Sequence, residues 1–318
     1  MSGAAGTLLH RTDHSLVVAA PAAEVFAVVA DTASWPAVFG PCVHVRHLER
    51  SSREERFTLW AEVNGRVQQW TSRRTLDPAR LCVRFRQERS APPVTAMSGA
   101  WLLRPRPGRR TEVVLRHRFA TADDDPASLA ALSQALDRNS RAELAALSRV
   151  AGSGHPVRDV VVTFEDSVEL ARPARDAYDF VAEAGLWADR LPHVRRSTLT
   201  ETAPGVQELA METVTPDGAS HTTRSVRVCG EGWIAFKQRV LPRPLAGHSG
   251  LWTFGDGPSG ARVTARHTAV IDPAAVASVF GEGTTAAEAR DRVRTALGAN
   301  SRATLALAAG AGVGSPRR

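Results

Sequence analysis

The chain has 318 residues, 43% of them hydrophobic and 23% charged, which is typical of a globular protein with room for two domains. Its net charge of +7 is spread along the chain, without the basic helix or aromatic motif of a nucleic-acid-binding domain. No apolar run reaches membrane-spanning length, and the N-terminus lacks a secretory signal pattern. The sequence therefore predicts a cytoplasmic protein that binds neither nucleic acid nor membrane.

The predicted elements of the first half follow a simple order. A strand at about 12–19 ends before Pro21, and apolar residues at helical spacing predict a helix over 22–29. A turn around Trp35 and Pro36 closes this helical part. Alternating patterns then predict strands at 43–49, 54–63, 66–76, 80–88, 97–105 and 111–119, followed by a long helix over 126–150.

The second half repeats the first. Residues 13–22 resemble residues 165–174, and 70–87 aligns without gaps on 221–238. The sequence Asn139-Ser140-Arg141-Ala142 recurs as Asn300-Ser301-Arg302-Ala303. This order of matches predicts two copies of one domain, residues 1–151 and 159–318, joined by a flexible linker at 152–158.

The plan of each copy predicts an α+β fold. A short helical segment, a run of antiparallel strands and one long terminal helix (284–309 in the second copy) occur in that order. We expect a curved antiparallel sheet to wrap around the terminal helix and to leave an internal cavity between them.

One strand carries an unusual face. Because alternate residues of a strand point the same way, Arg66, Gln68, Trp70, Ser72 and Arg74 share one side. If that side faces solvent it is ordinary polar decoration, whereas inside a cavity it is an apolar wall with hydrogen-bond donors. The tryptophan in mid-strand favours burial.

A histidine recurs on the apolar face of the last strand in each copy, as His117 and His267. Each could be a hydrogen-bonded core residue, or it could line a cavity and exchange protons. The three cysteines are scattered, the histidines lack metal-ligand spacing, and no familiar catalytic motif is present. Any chemistry is therefore expected to be acid–base catalysis without a metal or another cofactor.

Four segments together carry a family resemblance: Trp35-Pro36-Ala37-Val38-Phe39, Asn64-Gly65-Arg66-Val67, Trp70-x-Ser72-x-Arg74 and the Asn139-Ser140-Arg141-Ala142 helix. They resemble the aromatase/cyclases of bacterial type II polyketide synthases, enzymes of antibiotic biosynthesis, and the duplication resembles the di-domain members. That resemblance implies two tandem helix-grip domains of the START-like (SRPBCC) superfamily, in agreement with the plan above.

The resemblance also implies roles for residues of the first copy. Arg74, Ser72 and Trp70 become the catalytic candidates, with Arg74 polarising a carbonyl rather than donating a proton. Substrate-binding candidates are Trp35, Phe39, Arg66, Gln68, Trp101, His117 and Asn139. Asn139 could equally cap a helix or bond between helices.

The second copy departs from this pattern. Its gapless alignment places His221, Thr223 and Ser225 at the positions of Trp70, Ser72 and Arg74, with Arg227 two residues further along the same face. Two interpretations remain open: the copy is a scaffold or docking partner, or it has its own pocket and performs a later step such as dehydration. The other pocket candidates are Tyr178, Trp187, Trp252 and His267.

The resemblance implies a polyketide aromatase/cyclase acting on a poly-β-ketone carried by an acyl carrier protein. It implies first-ring aldol closure between the seventh and twelfth carbons of a ketoreduced chain, followed by dehydration. Ketosynthase/chain-length factor and ketoreductase are further expected partners. The alternatives are a non-catalytic carrier of an apolar ligand and a scaffold subunit of a synthase complex.

Overall fold

The computed structural model describes residues 9–122, 125–214, 218, 220–258 and 260–310. The chain divides into two compact units, Met1–Val157 and Arg158–Arg318. This boundary falls within the predicted linker, the end of which is taken up by a short helix, α4 (Val157–Val160). No helix in the described ranges is both long and apolar enough to cross a membrane.

The described part of the first unit contains one seven-stranded antiparallel sheet and three helices. Its strands are β1 (His10–Val18), β2 (Cys42–Arg50), β3 (Glu54–Val63), β4 (Arg66–Asp77), β5 (Cys82–Arg89), β6 (Val94–Arg106) and β7 (Arg110–Thr121). Its helices are α1 (Ala22–Ala30), α2 (Trp35–Val38) and α3 (Pro126–Ala151). Strands β2 to β7 lie side by side in chain order, and β1 completes the sheet beside β7.

Local sequence explains where the long helix α3 begins and which face it buries. The Asp125 side chain accepts a hydrogen bond from the Ser128 amide at 2.8 Å, and Pro126 occupies the first turn. Leu144 and Leu147, one turn apart, are almost fully buried. Helix α3 packs against β1 and β7 of the sheet.

The second unit repeats this plan. Its strands are β8 (Val161–Leu170), β9 (Val194–Ala203), β10 (Val206–Val214), β11 (Ser220–Gly230), β12 (Trp233–Val240), β13 (Leu245–Gly257) and β14 (Gly260–Ile271). Its helices are α5 (Ala174–Ala182), α6 (Trp187–Arg190), α7 (Pro273–Phe280) and α8 (Ala286–Gly310), and a 3₁₀ turn (Ala184–Leu186) precedes α6. The strand order β8-β14-β13-β12-β11-β10-β9 matches the first unit. The predicted fold, two tandem helix-grip domains, is confirmed.

The gapless alignment of the two copies is wrong by two residues along one strand. Arg74 pairs with Phe85 between β4 and β5, whereas Arg227 pairs with Phe236 between β11 and β12. The connection between the strands spans 78–81 in the first unit but only 231–232 in the second. Because the second turn is two residues shorter, Arg227 takes the place of Arg74. Ser225 and Thr223 then take the places of Ser72 and Trp70.

Candidate functional site

A cavity in the first unit lies between the inner face of the sheet and helix α3. Its wall is largely apolar and contains six aromatic rings, those of Trp35, Phe39, Phe57, Trp70, Phe85 and Trp101. Its polar lining side chains are Gln68, Ser72, Gln87, His117, Asn139, Ser140 and Glu143. An apolar wall with a few polar groups is the usual form of a small-molecule site.

The polar-aromatic face of β4 turns inward over part of its length. Gln68, Trp70 and Ser72 line the cavity, so the exposed-face interpretation is wrong for these three residues. Arg66 is exposed where β4 begins and does not line the cavity. Its predicted role in substrate binding stays a prediction, because the cavity lining on this face of β4 begins at Gln68.

Arg74 is buried but is not part of the cavity lining. Its Nε donates to Glu55 at 2.7 Å, its Nη1 donates to the Val29 carbonyl at 2.9 Å, and its Nη2 donates to the Ala30 carbonyl. The guanidinium lies 5.1 Å from the ring centre of Trp35. The structure therefore does not support Arg74 as a group that polarises a substrate carbonyl, because its donors point at protein oxygens behind the aromatic wall.

The buried carboxylate beside Arg74 is held in its charged form. Burial alone would raise the pKa of Glu55, but hydrogen bonding with His47 and the charge of Arg74 lower it to about 2. Arg50 adds a second ion pair, with its Nε 2.9 Å from the carboxylate. Burial lowers the pKa of Arg74, and the Glu55 charge opposes that shift. These charges lie behind the aromatic wall of the cavity and do not face its interior.

The aromatic wall is held in place by hydrogen bonding and ring packing. The Trp35 indole donates to the Val29 carbonyl at 3.2 Å, and its ring meets Phe39 edge-on at 5.6 Å. Phe39 in turn stacks on Trp101 with ring centres 5.9 Å apart. All three line the cavity, as predicted.

His117 lines the cavity rather than forming a hydrogen-bonded core residue. Its Nδ1 is buried and has no hydrogen-bond partner within the part of the chain that the structure describes. Burial, with a smaller contribution from the charge of His14, lowers its pKa to about 4. The imidazole is therefore neutral near pH 7 and can accept a proton.

Helix α3 presents a second set of polar groups to the cavity. Asn139, Ser140 and Glu143 fall on one face of the helix, as their spacing requires. The Asn139 amide donates to the Glu62 carbonyl at 3.0 Å, which ties the helix to β3 while the residue lines the cavity. Asn139 thus lines the cavity, and its hydrogen bond runs to a strand rather than to a helix end or to another helix.

Glu143 is the functional candidate that the sequence analysis missed. It is the one carboxyl group in the cavity lining, and among the described residues no hydrogen bond or ion pair holds it. Burial raises its pKa to about 8, so the carboxyl carries its proton at neutral pH. Its position four residues after Asn139 is the signal that could have identified it.

In the second unit, four buried or half-buried side chains form one hydrogen-bonded chain. Gln238 bonds to His248 at 2.9 Å, His248 to His267 at 3.0 Å, and His267 to Ser301 at 2.6 Å. Burial and the neighbouring His267 lower the pKa of His248 to about 3, and burial lowers the pKa of His267 to about 4. His267 is thus a hydrogen-bonded interior residue.

The same four positions line the cavity in the first unit. Strand register matches Gln238 to Gln87, His248 to Met97 and His267 to His117, and the repeated helix motif matches Ser301 to Ser140. In the first unit, Met97 cannot bond to His117 as His248 bonds to His267, and His117 Nδ1 has no partner in the described residues. The buried Ser140 Oγ also has none there. The two copies therefore differ in the polarity of their interiors at these positions.

The other second-unit candidates are distributed as follows. Trp252 belongs to a buried apolar cluster, and Tyr178 and Trp187 pack against it. Thr223 and Ser225 are half-buried, while His221 is exposed near the start of β11. The structure therefore places His221 in the exposed part of β11, apart from the buried cluster. Among the described residues, no group of three His, Cys, Asp or Glu side chains could hold a metal ion.

Comparison with known proteins identifies the family. Residues 18–142 and 170–294 each match the model of the polyketide cyclase/dehydrase and lipid transport family. The chain belongs to this family. It is 53% identical to the granaticin polyketide synthase bifunctional cyclase/dehydratase of Streptomyces violaceoruber, over 95% of this chain and 94% of that protein. It is 51% identical to the actinorhodin counterpart of Streptomyces coelicolor, over 95% of this chain and 96% of that protein.

A solved structure extends the similarity to the fold. The di-domain ARO/CYC BexL from the BE-7585A biosynthetic pathway is 44% identical, with a TM-score of 0.80 over 96% of this chain and all of that chain. The predicted family and the predicted enzyme class, a polyketide cyclase/aromatase of type II synthase pathways, are thereby confirmed.

Proposed function

We propose that the first unit closes the first ring of a linear poly-β-ketone and then dehydrates that ring to an aromatic one. The observation that carries this proposal is the presence of one neutral imidazole, His117, and one protonated carboxyl, Glu143, in the lining of the same aromatic-walled cavity. The names of the related cyclase/dehydratases support both steps. Closure between the seventh and twelfth carbons of a ketoreduced chain follows from the family resemblance.

The cavity favours ring closure by restricting the substrate. Trp35, Trp70 and Trp101 provide broad apolar surfaces against which a flexible chain must fold. Gln68 and Ser72 offer hydrogen bonds to the ketone oxygens along one side. Binding already holds the two reacting carbons in contact. The chain therefore loses its conformational entropy on binding and not at the moment of reaction.

The aldol step uses the two titratable groups in opposite senses. His117 removes a proton from a carbon between two carbonyls, which is acidic enough for a weak base, and the enolate carbon attacks a ketone carbon. A carbon–carbon bond forms while Glu143 donates its proton to the new alkoxide. Transfer of the proton from the imidazolium to the carboxylate restores both groups.

Dehydration repeats the same proton movements on the cyclised product. His117 removes the proton next to the remaining carbonyl, the carbon–oxygen bond of the new hydroxyl breaks, and Glu143 protonates the departing oxygen as water. One proton is taken and one is given, so no net charge remains. A carboxyl that stays protonated at neutral pH suits this role, since an ionised one could not donate.

A groove at the cavity mouth provides the route for a tethered chain. Gly40, Pro41, Asn64 and Gly65 line it together with Arg138 and Asn139 of α3, and Pro41 and Asn139 also line the cavity. We propose that an acyl carrier protein delivers the polyketide here, in the cytoplasm. Ketosynthase/chain-length factor and ketoreductase are the partners that would supply it. An acidic carrier would suit the positive net charge of the chain.

Reconstitution tests this function. A minimal synthase and ketoreductase are run with and without the protein, and aromatic products are separated from shunt products. We expect the protein to divert product to the aromatic first-ring compound, and Glu143→Gln and His117→Gln to reduce that diversion at least tenfold. His267→Gln, at the matching position of the second unit, is the control for general damage. An unchanged profile with wild-type protein would instead favour a carrier of apolar ligands.

A further inference from the structure

The arginine that the family resemblance places at the centre of catalysis has a counterpart in the second unit, and both bind two backbone carbonyls and lie near a tryptophan ring. Arg227 donates to the carbonyls of Val181 at 2.6 Å and Ala182 at 3.3 Å. Its guanidinium lies 5.9 Å from the ring centre of Trp187. Arg74 contacts Val29, Ala30 and Trp35 in the corresponding way.

The carbonyls that these arginines bind are the last two of a helix in each case. Helix α1 ends at Ala30, and α5 ends at Ala182. Carbonyls in the last turn have no partner within the helix, and the helix dipole makes that end negative. A planar guanidinium with several donors matches two adjacent carbonyl oxygens better than an ammonium group can.

The tryptophan that follows each helix completes the arrangement. The Trp35 indole shares the Val29 carbonyl with Arg74, and the Trp187 indole donates to the Phe180 carbonyl at 3.1 Å. The arginine therefore fixes both the end of the helix and the ring beside it. In the first unit that ring is part of the cavity wall.

We propose that Arg74 is a positioning residue: it caps the carboxyl end of α1 and thereby sets the place of Trp35 in the cavity wall. Glu55 holds the guanidinium in the orientation that this requires. Arg227 performs the same capping in the second unit, where no carboxylate among the described residues pairs with it. Substitution of Arg74 then alters the products through the shape of the cavity.

A first experiment follows the tryptophan directly. The full-length protein is labelled with 5-fluorotryptophan, and the ¹⁹F resonances of its seven tryptophans are assigned with Trp→Phe variants. Arg74→Met is expected to shift the Trp35 resonance most, and Arg227→Met the Trp187 resonance. Arg74→Met is also expected to lower the unfolding midpoint of the first unit by about 10 °C. Arg74→Lys keeps the charge and is measured as a second variant in case Arg74→Met does not fold. An unmoved Trp35 resonance in either Arg74 variant overturns the proposal.

A second experiment measures coupling in the reconstituted synthase, well below the unfolding temperature. If Arg74 acts through Trp35, the double variant Arg74→Lys/Trp35→Phe should lose no more product than the worse single variant, within about twofold. Losses that multiply would mean that Arg74 touches the substrate independently. This readout rests on the proposed function, whereas the fluorine shifts do not. A wild-type protein that leaves the products unchanged would therefore refute the function and leave the capping role intact.

Discussion

Replacing Glu143 by glutamine should stabilise the first unit while removing its activity. The pKa of Glu143 is raised from an ordinary value of 4.5 to about 8, so between these pH values the folded protein binds a proton that the unfolded chain has lost. The free energy of unfolding must then fall as pH rises through this window, by about 1.4 kcal/mol for each pH unit. Glutamine cannot ionise and avoids this loss.

The expected gain is about 3 kcal/mol at pH 7 if the site is dry. Because Glu143 is partly exposed to the cavity, water there lowers the penalty, and we expect about 1 to 3 kcal/mol. The difference between variant and wild type should vanish below pH 4.5 and stop growing above pH 8. Stability should thus rise while activity falls. This trade-off is common where function requires a group in an environment that destabilises the fold.

Calorimetry of the full chain between pH 4 and pH 9 measures this effect. Leu147→Ala, at a fully buried position of α3, identifies the transition of the first unit by its large shift. Glu24→Gln, on the exposed side of α1, is the matched control for removing a carboxyl elsewhere in the same unit. Parallel pH profiles for wild type and Glu143→Gln would refute the reasoning, because they would mean that the carboxyl ionises normally in the fold.

Three further outcomes follow from the structure. The second unit should lose stability as pH falls from 6.5 towards 4, because histidines in the unfolded chain gain protons while buried His248 and His267 stay neutral. In calorimetry, the stability of His248→Met should fall less steeply with pH than that of the wild type. Gly99→Ala should destabilise the first unit by more than about 2 kcal/mol in chemical denaturation, because a Cβ there would lie 2.2 Å from the Arg116 carbonyl oxygen; Gly40→Ala, with nothing within 4 Å, should be nearly neutral. Trp70→Thr, which installs the residue of the second unit, should leave circular dichroism unchanged but shift the reconstituted synthase from aromatic to shunt products; an unchanged product ratio would exclude Trp70 from the substrate wall.

The sequence was sufficient for the architecture because its signals are periodic and occur twice. Alternation identified the strands, and the inward face of β4 was correct at Gln68, Trp70 and Ser72. Alternation did not show that Arg66, which is exposed, and Arg74, which is buried behind the aromatic wall, both lie outside the cavity lining. Periodicity gives the side of a strand but not where along it the cavity begins, nor whether a side chain stops short of the cavity and binds backbone instead.

Two other features depend on contacts that no single segment reveals. The two-residue register shift between the copies arises in the turn after β4, which is two residues shorter in the second unit. A gapless alignment cannot detect such a difference in turn length. Glu143 looks like an ordinary helix-surface glutamate, since α3 is rich in polar residues. Only the packing of that helix against the sheet shows that its carboxyl faces the cavity.

The corrected register changes which residues the duplication singles out. A guanidinium occurs at the same place in both units and caps a helix in both, so its retention follows from the fold rather than from one reaction. Trp70 and Glu143, by contrast, have Thr223 and Thr304 at the matching positions. The side chains specific to the first unit are therefore an aromatic wall residue and the one acidic group of the cavity. A reaction confined to the first unit would need these two residues, and it is their loss, not that of the arginine, that should separate chemistry from folding.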